Sequence, residues 1–143
     1  MNYRFGQAAK AIGITEAALR NWMTRNDLDL FGDRPKGGWR DFAENDVMVL
    51  ALAALLVAFG AAVKEAVDAA KDALANVDLS TMDGLPLHYW AAPARAGGWI
   101  VHENERVTLR DAAGGGTIVL RIAPQKLLSE TLARLRNGEA KAA

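Results

Sequence analysis

Phe5-Gly6-Gln7-Ala8-Ala9-Lys10-Ala11-Ile12-Gly13-Ile14-Thr15-Glu16-Ala17-Ala18-Leu19-Arg20 is the stretch whose pattern decides the fold. Phe5, Ala8, Ala9 and Ile12 fall at i, i+3, i+4 and i+7, the spacing that gathers apolar side chains on one face of a helix. Gly13 is a natural stop for that helix. Ile14 and Thr15 then open a second helix. The threonine is a good N-cap, Glu16 suits the positive helix end, and Leu19 stands where it can staple back onto Ile14. This helix runs from Glu16 to about Arg25, burying Leu19, Trp22 and Met23 and presenting Glu16, Ala17, Arg20, Asn21 and Thr24. Two short helices joined by a tight glycine turn read as a helix-turn-helix, a pattern shared at this level with any helical hairpin.

Working outward, residues 26–39 are rich in Asp, Gly and Pro. Arg34-Pro35-Lys36-Gly37-Gly38-Trp39-Arg40 sets three cations around a Gly-Gly turn between short extended pieces, as a wing would. Cations at a loop tip suit phosphates. Val47 to Val63 carries no charge, but it is rich in alanine, is interrupted by Gly60 and follows Asp46. A spanning helix needs about 20 predominantly apolar residues with aromatic or basic flanks, so this run reads as a buried core helix from about Asp46 to Phe59. A further amphipathic helix is expected from Val63 to about Val77, with Val63, Ala66, Val67, Ala70 and Leu74 on one stripe.

In this order the residues resemble a known family. Phe5 to Arg20 resembles the opening of a MerR-type winged helix-turn-helix, in which a Val-Ser-x-x-x-Leu-Arg pattern starts the recognition helix. Gly38-Trp39-Arg40-Asp41-Phe42 is similar to the family's Gly-Tyr-Arg-x-Tyr wing. Glu44-Asn45-Asp46-Val47 matches the acidic lead into the third helix, and Gly60-Ala61-Ala62-Val63-Lys64-Glu65 looks like the opening of the fourth. The resemblance spans roughly Tyr3 to Leu74. It departs from the family where two tyrosines are replaced by Asn21 and Trp22, where Asp27, Asp29 and Asp33 bring acids toward the wing, and where Ala43 replaces a capping serine. No heptad run follows Val77, so the family's dimerising coiled coil is not implied.

The second half changes character. A turn-rich linker over residues 80–86 leads to strand-like pieces at residues 87–90, 98–102, 106–110 and 117–122, where Val107 and Leu109 alternate with Thr108 and Arg110, and Ile118, Leu120 and Ile122 with Val119 and Arg121. Pro124 begins a last helix with Leu128, Leu132 and Leu135 on one stripe, and a polar tail follows from residue 137. A sheet and helix of this size need to dock on the first half or on a second copy. Trp90 and Trp99 are expected in a core or dimer contact rather than in a ligand pocket.

The 143 residues hold 17 basic and 17 acidic side chains, are 51% hydrophobic and contain no cysteine. Disordered and fibrous classes are excluded, as are disulfide frameworks and thiolate metal sites. Bases and acids number seven and six in residues 1–45, two and six in residues 46–86, and eight and five in residues 87–143. Nucleic-acid contact must then come from local placement and not from bulk charge. No apolar run at Met1 to Gly6 suggests a signal peptide, and a cytoplasmic location is expected. His88 and His102 are the only histidines, and Gly114-Gly115-Gly116 lacks the lysine and hydroxyl residue of a phosphate loop. His102 beside Glu103 and Glu105 is a poor metal cluster. Nothing assembles a nucleophile, a base and an orienting group.

The reading is an α+β protein, not an enzyme, with no cofactor and no metal. A MerR-like winged helix-turn-helix occupies residues 1–78. A small antiparallel β meander with a C-terminal helix, for dimerisation or partner binding, occupies residues 87–136, and a polar tail residues 137–143. The expected function is sequence-specific, dimeric binding of double-stranded DNA in transcription regulation. The alternatives are a recombination or excision accessory factor and a protein-interaction adaptor that no longer binds DNA. Arg20 and Asn21 are the expected base readers, since arginine suits guanine edges and asparagine adenine edges, and Arg20 in the family often contacts backbone instead. Thr15, Glu16, Ala17, Thr24 and Arg25 complete the recognition-helix surface, with Arg34, Lys36 and Arg40 on phosphates. Leu128, Leu132 and Leu135 are the expected homodimer surface. RNA polymerase or another regulator is a candidate further partner, and no membrane is involved.

Overall fold

In the computed structural model, which describes residues 3–26, 28, 41–94, 97–104 and 118–142, the apolar quartet Phe5, Ala8, Ala9 and Ile12 is buried on one face of α1 (Phe5–Ile12). Gly13 ends α1 in the left-handed conformation at φ 92°, and its N–H donates to the Ala9 carbonyl. A side chain there would be strained, so glycine sets the tight turn. The Thr15 hydroxyl accepts from the Ala18 N–H at 3.0 Å and starts α2 (Glu16–Arg25). Leu19 and Trp22 are buried, Met23 and Ile14 half-buried.

α3 (Glu44–Ala58) begins two residues before the start expected from sequence. The reason lies in Asp46: its carboxylate is fully buried and accepts the Ala43 N–H at 3.1 Å. A third-position acid thus satisfies a donor at a helix start whose alanine cap has no side chain to offer. Val47 to Ala53 are all buried, so α3 is apolar around its whole girth because it is surrounded by protein. Among the described residues no helix is long and apolar enough to cross a membrane. α4 (Val63–Leu74) packs along α3 and ends three residues earlier than its stripe suggested. The following segment is an ordered turn and not a plain linker: Asp78 and Asp83 form an isolated antiparallel bridge, and Leu79 is buried.

Among the described residues three short strands follow, β1 (Tyr89–Pro93), β2 (Trp99–His102) and β3 (Leu120–Ile122), all antiparallel and in the spatial order β2-β1-β3. A meander would keep chain order, so this expectation is corrected: among the described residues β1 is central. The first strand also lies two residues further on than the sequence suggested. Leu87 is 81% exposed, whereas Tyr89, Ala91 and Ala92 are buried. The strand expected at 106–110 and the Gly114 turn lie outside the described residues. Pleating puts Tyr89, Ala91, Val101, Leu120 and Ile122 on the face turned to the core. The Tyr89 hydroxyl donates to the Ala73 carbonyl in the last turn of α4 at 2.8 Å. Trp99 packs against the core and Trp90 is half-buried.

The last helix, α5 (Pro124–Ala142), starts at Pro124 as expected but runs through the segment read as a polar tail. It packs on α1 and α3. Leu128 and Leu135 are 1% exposed and Leu132 is half-buried. The proposed dimer stripe is therefore corrected: Leu128 and Leu135 lie inside this chain's own core, with Thr131 buried between them and bonded to the Leu127 carbonyl. Two polar ties reinforce the packing. Arg134 Nε donates to the Ala11 carbonyl at 2.8 Å, and Arg136 stands 3.6 Å from Glu44, which also accepts from the Tyr3 hydroxyl. One hydrophobic cluster runs from Tyr3 to Leu135, across the boundary expected near residues 78–87.

Candidate nucleic-acid interface

The recognition-helix candidates form one surface along α2, from its N-cap Thr15 to Arg25 in its last turn. Glu16, Ala17, Asn21, Thr24 and Arg25 are exposed, and Arg20 is half-buried at the edge of the same surface. Thr15 is exposed but its hydroxyl already accepts from Ala18. The Thr24 hydroxyl donates back to the Arg20 carbonyl at 3.0 Å, which leaves its oxygen as an acceptor. Asn26 closes the far end by donating to the Trp22 carbonyl at 3.0 Å. Arg25 lies in the last turn, where the helix dipole favours a cation.

Arg20 is the most constrained of the set. Its Nη2 lies 2.6 Å from Glu16 Oε1, one helical turn earlier, and its guanidinium carbon sits 4.6 Å from the centre of the Phe5 ring. The Arg20 side chain keeps 37% of its surface exposed and that of Glu16 50%. Phe5 in turn makes a T-shaped contact with Phe42, the ring centres 5.1 Å apart at 87°. Phe42 is fully buried and exchanges backbone hydrogen bonds with Tyr3 at 2.7 and 2.8 Å. A stack thus runs from Phe42, two residues beyond Arg40, through the first residue of α1 to the arginine of α2. The sequence contained one part of it openly: Glu16 and Arg20 stand at i and i+4, the spacing of a helical ion pair. The Phe5 and Phe42 contacts join residues far apart in sequence and had no local signal.

Arg34, Lys36 and Arg40 lie outside the described residues. Of the histidines, His102 Nδ1 accepts the Asn104 N–H at 2.9 Å and His88 Nε2 is 3.0 Å from an Arg121 nitrogen. No group of three or more potential metal-ligating side chains occurs among the described residues. The exposed surface of α2 therefore offers a guanidinium, a carboxamide, hydroxyls and a second arginine on a rigid helix, groups that match base edges and phosphates.

Compared with known proteins, residues 3–72 match the family model described as MerR HTH family regulatory protein. No curated protein matches the chain.

Proposed function

We propose, from the premise that the N-terminal half of the chain is a helix-turn-helix module of the MerR regulatory family, that the protein is a sequence-specific transcription regulator whose α2 enters the major groove. The observation that carries this reading is the polar exposed surface of α2, backed by a buried apolar face and headed by an arginine held in place. Arg20 and Asn21 address base edges, with Arg20 also within reach of backbone. Thr15, Glu16, Ala17, Thr24 and Arg25 border them, and Arg34, Lys36 and Arg40 hold phosphates.

Specific affinity at physiological salt commonly needs two half-sites read by a two-fold dimer, and we propose such a dimer here. Its surface lies away from Leu128 and Leu135, which the chain's own core consumes. RNA polymerase is a candidate partner once the dimer is bound.

The test is a mobility-shift titration against duplexes recovered from a randomised pool, repeated over a range of salt. Each phosphate neutralised contributes about −0.9 to the slope of log affinity against log salt. A chain that contacts several phosphates gives a slope of about −3 or steeper by that relation. A flat titration, or no retention at low salt, overturns the reading.

A further inference from the structure

Glu16 stands at the first turn of a helix read as facing a polyanion, where a carboxylate should repel phosphate. One of its oxygens is nevertheless engaged in an ion pair within the helix. Oε1 pairs with Arg20 Nη2 at 2.6 Å, and Oε2 lies 3.4 Å from the point where a side chain on Gly6 would place its first carbon. The carboxylate therefore lies close to Gly6 in the first turn of α1, where the helix dipole favours negative charge. The next residue back, Phe5, supplies the ring under the guanidinium of Arg20. The first residue of α1 thus supports the guanidinium from one side while Glu16 holds it from another. An arginine on an exposed helix ordinarily samples many rotamers, and ordering them on binding opposes affinity.

We propose that Glu16 is a positioning residue for Arg20: the carboxylate and the Phe5 ring hold the guanidinium in one orientation before DNA arrives, so that Glu16 raises discrimination between sequences although its charge lowers general attraction to DNA. The inference rests on the DNA-binding reading above and adds to it a specificity-determining role. It makes a prediction opposite in sign to simple electrostatics. Loss of a merely repulsive acid tightens all duplexes by the same factor. Loss of a positioning acid lowers the preference for the selected duplex, and only while Arg20 is present.

The experiment is a double-mutant cycle on the full chain with Glu16→Ala, Glu16→Gln, Arg20→Ala and the Glu16→Ala/Arg20→Ala pair. Each variant is titrated against a duplex selected by the parent and against poly(dI-dC), and thermal melts verify that each is folded. Should Glu16→Ala melt early, Glu16→Gln, which keeps the shape, is the variant read. The expected result is a loss of about fivefold or more in the ratio of specific to non-specific affinity when Glu16 is changed beside Arg20, and no loss when Arg20 is already alanine. Equal tightening on both probes, or the same loss with and without Arg20, overturns the positioning role while leaving DNA binding intact. A parent that binds neither probe overturns both.

Discussion

An exposed i, i+4 ion pair contributes about 0.3–0.5 kcal/mol to folding, and a cation over an exposed ring about 0.5–1 kcal/mol. The Glu16–Arg20 pair is exposed but the Phe5 ring beneath the guanidinium is buried, so the cation–ring contact lies toward about 2 kcal/mol, a loss that a domain stable by about 5–15 kcal/mol survives folded. A good base or phosphate contact is worth about 1–3 kcal/mol, and Arg20→Ala should therefore weaken binding to a selected duplex by that amount while a thermal melt still shows a folded chain. A variant that binds like its parent would remove Arg20 from the interface. Tyr89 illustrates the opposite balance. Burial, with a smaller effect of the nearby Glu103 charge, pushes its hydroxyl from 10.0 up to about 12, and that hydroxyl donates to the Ala73 carbonyl. The folded state holds the Tyr89 proton more tightly than the unfolded state, so the Tyr89 contribution is complete below pH 10 and is lost as pH rises from 10 toward 12. Tyr89→Phe should cost about 1 kcal/mol at neutral pH and make the alkaline loss of stability shallower. Chemical denaturation at pH 7 and pH 11 compares the two, and an unchanged alkaline slope would mean that another group carries it.

At the scale of elements, the helices were legible because their signals are local. Phe5, Ala8, Ala9, Ile12 and Gly13 lie within nine residues, and periodicity with a stop signal defines α1 without reference to the rest of the chain. The strands were less so. Leu87, apolar and near aromatics, reads as the start of β1, yet it is an exposed apolar side chain, because register depends on which residues face Ile122 and Val101. The Leu128, Leu132, Leu135 stripe was readable as apolar, but a stripe does not say which surface covers it. The answer, α1 and α3, rests on contacts such as Arg134 to Ala11, separated by 123 residues in sequence. At the candidate interface, α2's exposed residues follow from the same periodicity, whereas the support of Arg20 by Phe5 does not. The burial of Leu128 gives a direct expectation. Leu128→Ala removes a fully buried side chain and should cost about 2–5 kcal/mol, with α1 and α3 losing protection together with α5. Hydrogen exchange on the three helices checks this, and loss confined to α5 would show that the helix is only peripherally attached.

For the whole molecule, the packing of α5 changes what the C-terminal half is for. Leu128 and Leu135 together bury apolar surface that stabilises by about 3–6 kcal/mol, at 1.5–3 kcal/mol for each such side chain. Domains of this size are stable by only about 5–15 kcal/mol in total. The ties from Arg134 to α1 and from Arg136 to Glu44 add to the same contact. The helix-turn-helix core is therefore completed by residues that follow it by about a hundred positions in sequence, and the sheet lies on the path between them. Removing the chain from Pro124 onward should uncover apolar faces of α1 and α3, so the expected outcome is loss of the cooperative thermal transition and of DNA binding together. This separates two roles for α5 that a binding assay alone would confuse. If α5 served only to pair two copies, the truncated chain would keep a sigmoidal melt, scatter light as a monomer and still bind DNA weakly with the salt dependence of the parent. If α5 belongs to the core of each copy, as the burial of Leu128 and Leu135 indicates, the melt broadens or vanishes and no salt condition restores binding. A truncated protein with an intact melt would overturn this assignment.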